Sequence, residues 1–449
     1  MTMQAPTTGP LADFLVSARW EDVPPDMRHA AKRSILNLFG AALGGSRDTA
    51  VAGSLSVLDR FSGPRDASVI GRAEKLDILS AAFLNAASGN VFDFDDTHHP
   101  TIIHPSAPVS PPLFALAESR PISGASLLHA FILGVEVECR LGNAVSPWHY
   151  RRGWHITSTC GVFGAAAAVA KVLAFDRERT VWALGNAAAQ SSGLIETLGT
   201  MAKSVGVGAA ARGGLLAALF AEAGVAGPAE PISGPRGFTS VMGDAATTDA
   251  IVKGLGETWE IMANTHKPYP CGVVLFPVID ACLELGAQNP GLTPDAIASI
   301  KVEGHSLLRE RTDRPSVSTG REAQVSAQHS VAVVLIQGLA GVAQYEDACV
   351  NSPDILALRK KVQVSDRPGT AVEAAHVTIM LADGRTLSAS VQQGRGTPKR
   401  PMSDTDIETK VRELTRYGCP GLDPRPLIDA IWSLDRNEDA GSIMRLAVA

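Results

Sequence analysis

The chain of 449 residues contains six cysteines and not one CxxC pair. Cys139, Cys160, Cys271, Cys282, Cys349 and Cys419 lie far apart and read as free thiols, with no local spacing for a disulfide framework or an iron–sulfur cluster. There is no basic block either. A formal charge of −6 on an ordinary globular composition, 45% hydrophobic and 19% charged, argues against nucleic acid and favours a small or polar partner. The longest apolar stretches, GVFGAAAAVA before Lys171 and VAVVLI before Gln337, fall short of the roughly 18 residues needed to cross a bilayer, so no membrane segment is expected. The start MTMQAPTTGPLADFL lacks a charged head followed by an apolar run, so no secretory signal is expected and the cytoplasm is the expected location. The GxxxxGK[ST] order of a phosphate-binding loop and the HxxxH and HExxH spacings of a metal site are missing. No internal repeat or low-complexity tail is present.

What the chain does have is helix. Residues 26–43, DMRHAAKRSILNLFGAAL, follow Pro24-Pro25 with apolar positions at helical spacing and an acidic first turn. The pattern recurs at 76–92, 126–145, 162–174, 178–192 and 208–224. Small residues such as Ala165–Ala168 predict thin interfaces in which helix backbones approach closely. The character changes after KPYPCG (267–272). IASIKVEG (297–304) and AHVTIMLADGRTLSASV (375–391) alternate apolar with polar, and Asp383-Gly384 between two such runs predicts a tight hairpin. Helical patterns return at 404–418 and around PRPLIDAIWSL. The expected fold is mainly α with a smaller α+β domain. A large helical domain would be built from both chain ends, 1–266 and 396–449, with an inserted α+β domain over 267–395.

Four stretches could carry chemistry. NVFDFDDTHHPTIIHPSAP (90–108) gathers acids and imidazoles. If the preceding helix runs to its end, Asp93 and Thr97 share one face and Asp95 points elsewhere. His104 sits in a proline-braced loop that would hold it as an acid/base group in an interdomain cleft, while His98 and His99 diverge and one of them faces away. RRGWHITSTCGVFGAAAA (151–168) places His155 at a helix start, whose free N–H groups suit a carboxylate. GTMAKSVGVGAAARGG (199–214) brings Lys203 to a helix start flanked by glycines, a second place for an anion. NTHKPYPCG (264–272) puts Lys267 and Tyr269 between prolines at the domain junction, where clefts form. Each acid or histidine taken singly also has a bland reading, as a helix cap or a solvated loop residue.

In this order the motifs DFDDT and HPS (93–97, 104–106), GWHITSTCGVFGAAAA (153–168), TMAKS with GAAA (200–211), KPYPCG with PVIDA (267–281), SAQHSVAVVL (326–335) and GTPKRPMS (396–403) resemble the MmgE/PrpD family over nearly the whole chain. Known activities of that family include 2-methylcitrate dehydratase, cis-aconitate decarboxylase and iminodisuccinate epimerase. The resemblance implies that the inserted α+β domain is a lid, and it implies a homodimer with a cofactor-free site, no metal, and a substrate with two or three carboxylates. It places Asp93, Thr97, His104, His155 and Lys203 at catalytic positions. It puts Lys267, Tyr269 and His329 at substrate-binding ones, His329 standing where several members carry Tyr. The reaction implied first is that of a metal-independent lyase of the 2-methylcitrate dehydratase kind, dehydrating or hydrating a hydroxy acid. Decarboxylation, epimerisation or substrate binding without turnover are the alternatives. The sequence departs from the family pattern at Gly206, where many relatives carry His, and at Phe276, where the element before PxIDA ends in His. A smaller or less charged substrate is expected from both.

Overall fold

The computed structural model describes residues 6–243 and 248–449. Contacts divide the chain into two units, one of residues up to Val91, Asp95–Asn264 and Asp404–Ala449, the other of Phe92–Phe94 and Thr265–Ser403.

The first unit is helical. Its principal elements are α1 (Pro25–Gly45), α2 (Ile78–Asn90), α3 (Ser106–Ala117), α4 (Gly124–Val145), α5 (Ile156–Val172), α6 (Arg177–Ala188) and α7 (Ala202–Glu222). Each start has a local cause. Pro25 opens α1 at a position where its missing N–H costs nothing, and Asp77 caps α2 by accepting from the amides of Leu79 and Ser80. The Ala-rich α5 is buried along almost its whole length. The expected close approach is realised: a Cβ on Gly134 of α4 would lie 2.7 Å from the carbonyl oxygen of Gly164, and one on Gly214 of α7 would lie 2.3 Å from the Ala165 side chain. By length and composition α7 alone among the described residues could cross a membrane, and most of it is buried in this unit.

The end of the chain completes the same core. In the helix Asp404–Gly418, Val411 and Leu414 rest on Gly40 and Gly44 of α1, where any Cβ would come within 2.8 Å of them. Lys410 donates to Asn37 at 2.7 Å, a polar bond sealed inside that seam.

The second unit is built on a four-stranded sheet of β2 (Ile297–Gly304), β3 (Val362–Asp366), β4 (Ala375–Leu381) and β5 (Thr386–Val391), in the order β3-β2-β4-β5. The strand β1 (Asp96–His98) belongs to the first unit. β2 and β3 run parallel, whereas β4 and β5 form the hairpin expected at Asp383-Gly384, with Gly384 at φ +87°. One face of the sheet is packed by α8 (Phe276–Gln288), and α9 (Ala327–Gln337) lies in the same apolar core. The stretch 396–403 groups with this unit and not with the helical one. Gly396 fits there because a Cβ would strike Pro268 at 2.5 Å and the carbonyl of His266 at 2.8 Å.

Candidate active site

The acidic cluster does not lie on a helix. α2 stops at Asn90, and Asp93 adopts φ +51°, a left-handed value that ends any helical continuation for a residue with a Cβ. The face expected to join Asp93 with Thr97 therefore does not exist. Thr97 sits in the middle of β1, buried, so that it points to the opposite side from Asp96 and His98.

The residue brought to His104 is Asp95. Its Oδ1 lies 2.8 Å from His104 Nδ1, and its Oδ2 accepts from Asn90 Nδ2 at 2.8 Å. Asp95 is wholly buried and His104 is 8% exposed. A carboxylate that accepts from both neighbours fixes the histidine proton on Nδ1 and makes Nε2 the basic nitrogen of the ring. Asp96, beside it, accepts from the amide and hydroxyl of Ser106 and from Asn264. Burial, and then the charge of Asp95, push its carboxyl up to about 6, against the pull of those hydrogen bonds.

The backbone of His104 is tied to α5, since its amide donates to Thr157 Oγ1 at 3.2 Å. Two residues before Thr157 stands His155, the cap residue of α5, 4% exposed, with Nδ1 at 2.7 Å from Ser158 Oγ. Lys203, in the first turn of α7, lies one turn before Gly206, whose own Cα faces that serine. His104 is thus tied to the α5 start that carries His155, and Lys203 lies on the helix whose Gly206 faces Ser158.

His98 and His99 diverge, as expected from their adjacency, with His99 exposed on the surface. His98 is fully buried, bonded to Thr101 Oγ1 at 2.7 Å and to Glu260 Oε2 at 3.0 Å. Burial drives the Glu260 carboxyl upward, but the hydrogen bond and charge of His98 outweigh it, so that the net shift is downward.

In the second unit, Lys267 is almost fully buried and donates to Asp93 Oδ2 at 2.8 Å. The two other residues expected to bind substrate are core residues instead. Tyr269 donates its hydroxyl to Asp280 at 2.6 Å and packs its ring edge-on against Phe276. Asp280 is also held by Arg395 and Arg400. His329 has no exposed surface, bonds the carbonyl of Gln344 at 2.8 Å and stacks edge-on against Tyr345. Burial pushes its imidazole down to about 4. Both face inward because the apolar side of α8 and α9 draws them there, a preference for the core that the residue types alone do not reveal.

The sequence profile of the MmgE/PrpD N-terminal domain matches residues 9–250, and that of the C-terminal domain matches residues 269–434. The chain belongs to the MmgE/PrpD family. Among curated proteins it is 28% identical to a cis-aconitate decarboxylase of Aspergillus terreus over 456 residues, covering 95% of this chain and 92% of that one. It is 27% identical to the cis-aconitate decarboxylase of Homo sapiens, over 93% of this chain and 89% of that one. A cis-aconitate decarboxylase-like protein of Aspergillus oryzae is 26% identical over 99% and 98%.

Within this MmgE/PrpD chain the two departures from the family pattern have different surroundings. Phe276 is 1% exposed and fills the core of the second unit against Tyr269. Gly206 lies against Ser158, at the histidine of α5. Asp95 and Ser158 are the two site residues that spacing alone did not single out. The only signal for Asp95 was its membership of the acidic cluster, and for Ser158 its place among the small hydroxyl residues after His155.

Proposed function

We propose that this protein decarboxylates a small unsaturated polycarboxylate of the cis-aconitate type, using its own side chains and no cofactor. The observation that carries the reading is the buried Asp95–His104 pair tied to the α5 start that holds His155. The names of relatives aligned over nine-tenths of this chain give decarboxylation precedence over the dehydration that the motifs alone suggested. Loss of CO₂ from a carbon next to a C=C breaks one C–C bond and leaves its electron pair in an allylic system conjugated with a remaining carboxylate. A cation beside that carboxylate stabilises the charge, and one proton delivered to carbon completes the reaction. Lys203 supplies the cation, and a protonated His104 or His155 supplies the proton from Nε2. Thr97 is assigned to orientation of the substrate. Asp93 and Lys267, which pair with one another in the second unit, are included on the family motif alone.

The test is to incubate pure protein with cis-aconitate and measure CO₂ release together with the five-carbon unsaturated diacid. Citrate and methylcitrate are followed in parallel for the absorbance of a new C=C. CO₂ without C=C formation from the hydroxy acids supports decarboxylation. New C=C absorbance without CO₂ returns the reading to dehydration. Deuterium entering recovered substrate with neither product means epimerisation. A homodimer, proposed on resemblance, is checked by light scattering.

A further inference from the structure

His104 and His155 are held by different chemistry. His104 faces a carboxylate, an acceptor only, whereas His155 faces the hydroxyl of Ser158, which can accept from Nδ1–H or donate to a bare Nδ1. A hydroxyl therefore favours no single protonation state of the ring, yet fixes its plane.

The position of Ser158 is itself defined from two other segments. Gly193, at φ +129°, passes so close that a Cβ there would lie 2.6 Å from the Ser158 Cβ and 3.1 Å from its Oγ. The carbonyl of Gly193 also accepts from the His155 amide at 3.0 Å. On the other side, a Cβ on Gly206 would lie 2.9 Å from Ser158 Oγ, and its only other neighbour within 4 Å would be the Ser158 Cβ at 3.8 Å. Ser158 is 2% exposed, so its hydroxyl has no open route to another position.

We infer that Ser158 is a positioning residue for His155, and that glycine at 206 is required because it leaves the Ser158 hydroxyl room to reach the imidazole. The inference rests on the proposed role of His155 in proton transfer. It explains one departure from the family pattern in terms of a contact: the side chain absent at 206 is replaced by a hydroxyl that approaches from α5. Among the described residues the side-chain hydrogen bond of Ser158 goes to the histidine, so its effect passes through the orientation and proton placement of that ring.

The experiment uses full-length protein with ¹⁵N-labelled histidine and three variants, Ser158→Ala, Gly206→Ala and the double. Imidazole nitrogen shifts report the tautomer and titration of His155 whether or not turnover is observed. Gly206→Ala adds a methyl group inside a helix, where alanine is the better helix former, so loss of folding is not expected to confound it. Both single variants should shift the His155 signals and lower kcat on cis-aconitate by about 10- to 100-fold, with KM within about threefold. The double variant should match Ser158→Ala alone, because without Oγ the added methyl meets the nearest Ser158 atom at an ordinary 3.8 Å. Unchanged His155 signals in Gly206→Ala, or effects that multiply in the double variant, would overturn the inference. If the parent protein turns over no polycarboxylate, the decarboxylase reading falls, while the nitrogen shifts still decide the role of Ser158.

Discussion

Replacing Asp95 with asparagine changes one atom and reverses a hydrogen bond. In the parent, both carboxylate oxygens accept, one from Asn90 Nδ2 and one from His104 Nδ1, each at 2.8 Å. The amide of Asp95→Asn has a single acceptor. If its oxygen stays with Asn90, its NH₂ faces His104 Nδ1, and the histidine must move its proton to Nε2 and lose the lone pair there. If the amide flips, two NH₂ groups confront one another in a fully buried position. The first arrangement leaves fold and packing almost unchanged and inverts the tautomer, which in buried carboxylate–histidine pairs lowers turnover by about 10²- to 10⁴-fold, about 3–5 kcal/mol of transition-state stabilisation. The assay is kcat on cis-aconitate across pH, with thermal unfolding run alongside. A folded Asp95→Asn protein that keeps kcat within threefold of the parent would refute the assignment of His104 as the base.

His104→Ala should cost turnover about 10²-fold or more per folded molecule, with a loss of stability from taking one donor away from buried Asp95, whereas His99→Ala on the surface should be neutral in both assays. His98→Ala should lower unfolding free energy by about 1–3 kcal/mol, read by urea denaturation, because it empties a fully buried position and takes one partner from half-buried Glu260 while sparing turnover per folded molecule. His329 binds fewer protons folded than unfolded, so its contribution is full above pH 6.5 and is lost as pH falls through about 4. His329→Gln should recover about 3 kcal/mol of that acid loss in denaturation at pH 4 relative to pH 7, with KM unchanged. Elemental analysis of purified protein should find no stoichiometric zinc, iron or manganese. About one metal per chain would overturn the cofactor-free reading.

The helices were legible because burial imposes a period on apolar residues, as in α1 and α4, and the hairpin because Asp383-Gly384 has one natural turn geometry. His104 and His155 were legible through their motifs. The partner of His104 was not: Asp95 reaches it across a nine-residue loop whose path depends on the left-handed turn at Asp93 and on the Asp96–Ser106 bonds. Ser158 needed three segments to meet before its hydroxyl acquired meaning. Tyr269 and His329 misled because polar aromatic rings suit a core as well as a cleft, and only the presence of Asp280 and Gln344 shows which one they occupy.

The seam between α1 and the helix Asp404–Gly418 has a consequence for synthesis. Gly40 and Gly44 offer a groove that stays empty until Val411 and Leu414, about 370 residues later, leave the ribosome. The second unit, contiguous from Thr265 to Ser403 apart from Phe92–Phe94, emerges complete before that point. Domains usually fold in the order in which they are translated. Here the order is inverted: the seam of the helical unit closes only after the second unit has been made.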